Sequence, residues 1–133
     1  MKVDGRCHCG QIRYEAQIDP DKVSVCHCSD CQALTGTAYR VSVPASAANL
    51  KFLTGTPKIY IKTAESGNQR AQAFCANCGS PLYSADAKDP QLFFLRVGTL
   101  SQREVLAPKR QIWCRSALPW ASDIRNLERS ERA

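Results

Sequence analysis

Nowhere in the 133 residues do 18 uncharged apolar residues run together, so the sequence offers no helix able to span a bilayer. The opening residues Met1-Lys2-Val3-Asp4-Gly5-Arg6 carry charges but no apolar h-region, which argues against export. A cytoplasmic location is expected. No stretch of a dozen residues carries a helical stripe, so the fold has to come mainly from strands. Linkers and low-complexity segments are absent as well, and 44% hydrophobic with 23% charged residues is the composition of one globular domain. That domain is expected over residues 1–124, with a charged tail over residues 125–133.

A massed basic surface is also lacking. The formal charge is +6, from 18 basic and 12 acidic residues, but Lys and Arg are scattered apart from a modest excess after Gln102. That distribution argues against nucleic acid as a partner.

Period-2 patterning is what the sequence does have. Residues 11–18 alternate strictly, with Ile12, Tyr14, Ala16 and Ile18 on one face, as in a half-buried strand. Tyr39, Val41 and Val43 repeat the pattern until Pro44, which is expected to end it. Leu50 and Phe52 precede a turn at Thr54-Gly55-Thr56-Pro57. Residues 58–63 alternate again, with Ile59 and Ile61 read as inward, and Ser66-Gly67-Asn68 turns the chain into a return strand over 71–74. Residues 91–97 hold a denser apolar run suited to a central strand, and Ile112-Trp113 add a further one. Residues 29–34 allow a single helical turn.

Eight cysteines stand against this ordinary background, and seven form three groups: Cys7/Cys9, Cys26/Cys28/Cys31 and Cys75/Cys78. In a reducing compartment such groups are metal ligands rather than disulfides, and spacings of one or two residues would strain a disulfide. Zinc is the metal that thiolate sets of this kind hold, four at a time in a closed tetrahedral site. Cys75-Ala76-Asn77-Cys78-Gly79 has the spacing and trailing glycine of a zinc knuckle and needs two more ligands. Cys26, Cys28 and Cys31 already form a compact trio, so Cys7 and Cys9 complete the first site. Two zinc ions per chain are expected. Ionising seven thiols and binding two divalent ions lowers the formal +6 to +3.

The trio leaves one coordination position open, as catalytic zinc does. Three thiolates on Zn²⁺ carry a net charge of −1, which polarises a carbonyl poorly and favours a soft fourth ligand such as a thiol. An alternative reading makes both ions structural, with Cys114 or a histidine closing the second site. Cys114 also reads as a buried small apolar residue. In extended Cys-His-Cys segments both sulfurs point one way and His8 or His27 the other, so the histidines are expected to support the ligands rather than bind.

The ordered motifs Gly5-x-Cys7-x-Cys9-Gly10, Cys26-x-Cys28-x-x-Cys31 and Phe74-Cys75-x-x-Cys78-Gly79-Ser80, with Gly98-Thr99-Leu100 and Leu118-Pro119-Trp120 later, resemble the glutathione-dependent formaldehyde-activating enzyme family, which includes centromere protein V. The resemblance spans about residues 3–120. It implies a mainly β, single-domain Mss4-like fold, a four-thiolate zinc on Cys7, Cys9, Cys75 and Cys78, and a three-thiolate zinc on Cys26, Cys28 and Cys31. The activity it implies combines formaldehyde with glutathione to give S-hydroxymethylglutathione, formally a carbon–sulfur lyase reaction. Two positions depart from the family pattern: Gln111-Ile112 where the family often has His-Ile, and Leu100-Ser101 where it often has Leu-Asp.

The leading expectation is therefore an enzyme in which Cys26, Cys28 and Cys31 form the catalytic centre, with a small thiol such as glutathione and a small aldehyde as partners. Arg40, Lys62, Arg70, Arg96, Arg110 and Arg115 are the candidates to receive glutathione's carboxylates. The competing reading is a non-catalytic, zinc-stabilised module that binds protein or nucleic acid.

Overall fold

A computed structural model describes residues Met1–Ala133. Alternating apolar and polar residues produce ten strands: β1 (Lys2–Arg6), β2 (Arg13–Gln17), β3 (Ser24–Cys26), β4 (Arg40–Ser46), β5 (Leu50–Thr54), β6 (Lys58–Thr63), β7 (Gln69–Phe74), β8 (Pro81–Asp86), β9 (Leu92–Arg96) and β10 (Arg110–Ile112). They form a three-stranded sheet, β1-β2-β5, and a seven-stranded sheet, β10-β3-β4-β9-β8-β7-β6. Every pairing is antiparallel except that of β10 with β3. The one helix, α1 (Ser29–Thr35), follows the second cysteine group directly and ends on Gly36 in the left-handed region. At seven residues, it is too short to cross a membrane. The architecture is the expected mainly β, Mss4-like fold in a single domain.

The core lies between the two sheets. Val3, Tyr14 and Ala16 of the small sheet meet Val43, Ala45, Leu82 and Leu95 of the large one, with Leu100 and Leu106 sealing the end. The face foreseen for residues 11–18 is the one buried: Ile12, Tyr14, Ala16 and Ile18 are all inside. Tyr14 also anchors a line of rings, Tyr14–Phe52–Tyr83–Phe93, with successive centroids 5.7, 5.9 and 5.0 Å apart. Its hydroxyl donates to Thr99 Oγ1 at 2.7 Å, and Thr99 in turn donates to the Arg96 carbonyl at 2.8 Å, so the buried phenol is satisfied. Burial pushes the Tyr14 phenol up to about 12.

Three readings of the strands need correction. Pro44 does not end β4, which runs on to Ser46. Beyond Ser42 the strand pairs only with β9, so the missing proline N–H interrupts a ladder on one side at most. Ile59 and Ile61 are not inward but exposed, because β6 is the sheet's edge strand and the core cluster has no member on it. The period-2 pattern read at Tyr39, Val41 and Val43 does not mark one buried face: Tyr39 precedes β4 and is exposed, Val41 is partly buried, and Arg40 and Ser42 on the opposite face are buried as Val43 is. β1, β3 and β8 carry too few apolar residues to be visible as strands in the sequence.

Gly5 is where β1 crosses the Tyr14 ring: a Cβ built there would lie 2.2 Å from Tyr14 Cζ. At Gly98 a Cβ would meet nothing within 4 Å. Gly5→Ala is therefore expected to cost about 1–3 kcal/mol by overpacking, visible as a lowered Tm, while Gly98→Ala melts close to wild type. Equal melts for the two variants would contradict this packing of β1 on Tyr14.

Candidate metal centres

The seven grouped cysteines gather into two clusters. In each, the sulfurs all lie within 4.8 Å of one another: Cys7, Cys9, Cys75 and Cys78 in one, Cys26, Cys28 and Cys31 in the other. None of the eight cysteines is in a disulfide. A tetrahedral ion with metal–sulfur bonds of about 2.3 Å sets its sulfurs about 3.8 Å apart. The separations here are 3.5 Å for Cys7–Cys9 and 3.8 Å for Cys9–Cys75, so the donor set fits such an ion.

The four-thiol cluster joins the two sheets. Cys7 and Cys9 follow β1, and Cys75 and Cys78 form the β7–β8 connection, 66 residues separating Cys9 from Cys75. The Cys-His-Cys segment here is a turn rather than the extended run expected, closed by the Gly10 N–H on the Cys7 carbonyl at 3.1 Å, yet both sulfurs still face one side. Gly79, at φ +76°, lets the knuckle close with its N–H on the Cys75 carbonyl at 2.8 Å. Ser80 stitches the halves together: its hydroxyl accepts from the His8 N–H at 2.9 Å and donates to Cys78 Sγ at 3.3 Å. That hydroxyl, with the backbone N–H groups of Cys9 and Ser80, holds Cys78 down at about 5. The Asn77 side chain and the Gln11 backbone lower Cys9 in the same way. The Ile12 N–H donates to Cys7 Sγ at 3.3 Å. Donors aimed at sulfur favour thiolates, the form a metal takes.

The three-thiol cluster is local. Cys26 ends β3, Cys28 caps α1, and Cys31 sits in its first turn, where its N–H donates to Cys28 Sγ at 3.3 Å. Gln32 fixes the loop to the C-terminal segment, donating to the His27 carbonyl at 2.9 Å and the Ser116 carbonyl at 3.0 Å. The Cys31 thiol, the Cys28 backbone and the Arg40 charge hold Cys26 at about 5, while Cys31, whose proton Cys26 shares and which is partly buried, is pushed up. A divalent cation would release that last proton.

His27 points away from the trio as expected. It is buried, with Nε2 2.7 Å from Gln111 Oε1. An amide oxygen only accepts, so Nε2 carries the proton and the buried Nδ1 is left without a partner. His8 is exposed at its turn. Cys114 is not the buried apolar residue the sequence allowed: it is exposed and belongs to neither cluster.

The six basic candidates separate cleanly. Lys62 pairs with Asp30 at 2.6 Å, Arg70 with Asp86, and Arg115 with Glu65 at 3.5 Å. Arg110 is exposed on β10. Arg40 and Arg96 are buried and face no carboxylate; Gln72 Oε1 accepts from both, and Ser42 Oγ accepts from Arg96. Desolvation, with the Arg40 charge beside it, lowers Arg96 to about 9. The roles of Gln72 and Ser42 were missed from sequence; the one available signal was polar residues interrupting apolar alternation.

Fold and site together define a mainly β protein with a four-thiol and a three-thiol cluster, each of which could hold a metal ion. A family model described as glutathione-dependent formaldehyde-activating enzyme matches residues 2–116, and the chain belongs to that family. A Halomonas elongata protein named as a glutathione-dependent formaldehyde-activating enzyme is 29% identical over 97 residues, covering 69% of this chain and 61% of that protein. An uncharacterized lyase of Schizosaccharomyces pombe is 26% identical over 94 residues, covering 71% and 65%. The chain thus spans just under two thirds of the length of these relatives. A Rhodobacter sphaeroides protein of known crystal structure superposes with a TM-score of 0.62 at 18% identity, over 81% of this chain and 98% of that one, a likeness of fold alone.

Because the four-thiol cluster ties strands far apart in sequence, an ion there contributes its binding free energy to folding, on the order of 10 kcal/mol in small metal-dependent domains. Cys75→Ser is expected to lower the Tm by roughly 10 °C or more, or to leave the domain unfolded. A melt within a few degrees of wild type would show that the cluster is dispensable.

Proposed function

We propose that the chain is a zinc-dependent enzyme of the carbon–sulfur lyase type, acting on a small thiol adduct such as that of formaldehyde and glutathione. The observation that carries this reading is the inequality of the clusters. One gathers four thiols, a full tetrahedral set; the other gathers three, half-buried, beside two buried arginines. In this reading Cys7, Cys9, Cys75 and Cys78 hold a structural zinc, and Cys26, Cys28 and Cys31 hold the second. A zinc ion on three thiolates supplies a position for a soft sulfur ligand and lowers that ligand's pKa.

The chain's own residues do the rest. Cys28 as helix cap and the Gln32 clamp fix the trio, while Arg40 and Arg96 supply positive charge where an anionic sulfur arrives. The reaction is redox-neutral. The thiol sulfur bonds to the aldehyde carbon, the carbonyl π pair moves to oxygen, and the proton given up by the thiol ends on the new hydroxyl. The reverse breaks the same carbon–sulfur bond. The name of the Halomonas elongata relative supports this class of substrate and that of the Schizosaccharomyces pombe relative a lyase, and glutathione and formaldehyde are the substrates that the family description names.

Cys26, Cys28 and Cys31 lie within six residues and close only a short loop, so their contribution to stability is small. Cys28→Ser is expected to melt near wild type yet lose one metal ion. Cobalt-loaded wild type titrated with millimolar glutathione should gain a thiolate charge-transfer band that Cys28→Ser does not. A wild-type spectrum that stays flat would sink the enzyme reading and leave a binding module, which the exposed Trp113, Trp120 and Ile124 would then favour.

A further inference from the structure

Arg40 and Arg96 are each only 6% exposed, and both lie next to the three-thiol cluster: Arg40 pairs across the sheet with Cys26, and Arg96 with Ser42 two residues further along β4. Buried cations persist when an anion offsets them. Here the only common partner is a neutral one, Gln72 Oε1, at 2.9 Å from Arg40 Nη1 and 3.0 Å from Arg96 Nη2. Ser42 Oγ accepts from Arg96 Nη1 at 2.8 Å, and both Nε atoms are buried without a partner. Nor do the thiolates offset the pair in full, since three of them with a divalent ion carry −1 against +2.

Arg40 is also the one charged side chain lining a pocket of about 410 Å³. Its walls adjoin both cysteine clusters. Leu34 comes from the helix that carries Cys31, and Phe74 and Gly79 flank Cys75 and Cys78. Leu34, Phe74 and the exposed Tyr60 make the remaining surface largely apolar, so a charged ligand entering here meets Arg40 alone. A guanidinium with unused N–H groups matches the two coplanar oxygens of a carboxylate, whereas a metal-bound sulfur makes poor use of such donors.

We propose that Arg40, linked through Gln72 to the buried Arg96 behind it, is an anion site that binds a carboxylate of the thiol substrate, placing its sulfur toward Cys26, Cys28 and Cys31. The proposal rests on the thiol-substrate reading above for the identity of the ligand, but not for the existence of the site. It makes the enzyme selective for carboxylate-bearing thiols over neutral ones of the same size.

The probes are S-methylglutathione, whose capped sulfur cannot become a thiolate, and its dimethyl ester, titrated into the zinc-loaded full chain while the arginine Nε–H resonances are followed by NMR. The acid is expected to shift the Arg40 and Arg96 signals and to bind at least about tenfold more tightly than the diester, the size of a charge-assisted pair. Arg40→Gln should reduce the acid to the diester's affinity, and Arg40→Lys, which keeps charge but loses the fork, should fall between. Equal affinities of acid and diester for wild type, no shift at either arginine, or an unchanged affinity in a folded Arg40→Gln would overturn the site. The wild-type comparison needs no variant, so a misfolded substitution does not block the test. Glutathione's cobalt band reports the thiol reading separately: no band with acid-selective binding sinks the reading and keeps the site, and a band without acid selectivity does the opposite.

Discussion

Four thiols drawn from 66 residues apart and packed within 4.8 Å of one another are the constraint around which the rest of the chain is arranged. Sulfurs at that spacing repel once ionised, and the donors from Ser80 and Asn77 favour ionisation of Cys78 and Cys9. A cation held by the four sulfurs would resolve the conflict and in doing so fasten the end of β1 to the β7–β8 turn. Such a fastening would matter because the hydrophobic core is small: it holds 15 buried residues of 133, and Cys7 and Cys75 are themselves among its fully buried members. Beyond the shared core, the small sheet is held to the rest of the chain by the Tyr14 ring line, the Tyr14–Thr99 hydrogen bond and the bonds of Asp4 to Ser101 and Gln102.

The second cluster obeys the opposite logic. Its three sulfurs come from one short stretch, are half exposed, and tie nothing distant together. What surrounds it is costly instead of stabilising: two buried guanidinium groups sharing one amide oxygen, and a buried histidine with an unsatisfied ring nitrogen. A fold keeps such expensive groups where they serve a ligand more readily than where they serve stability. The proposed division of labour between a closed centre and an open one would follow from the connectivity, since only the first spans the domain.

Much of this was legible in the sequence for definite reasons. Cysteine spacing is a local property, so the three groups could be read without knowing the fold, and a count of four ligands to a closed site joined Cys7 and Cys9 to Cys75 and Cys78; the period-2 face at Ile12, Tyr14, Ala16 and Ile18 is a local property too. What stayed hidden depends on neighbours supplied by the sheet. Ile59 and Ile61 carry an inward pattern that β6 cannot use at the edge, and nothing in the sequence separates Arg40 from the other basic candidates until β3, β7 and β9 are placed around it. The two departures from the family pattern also find local explanations. Gln111 accepts from His27, and Ser101 donates to Asp4 Oδ2 at 2.6 Å while Gln102 donates to Oδ1 at 2.8 Å.

The central claim is that two unlike sulfur-bound ions sit in this chain, one with four cysteine ligands and one with three. Zinc X-ray absorption, with metal content measured on the same thiol-free sample, tests it most directly. The account predicts two zinc ions per chain and an average first shell of about three and a half sulfurs, the remainder a lighter atom. One zinc per chain, or a pure four-sulfur shell at two per chain, would contradict it.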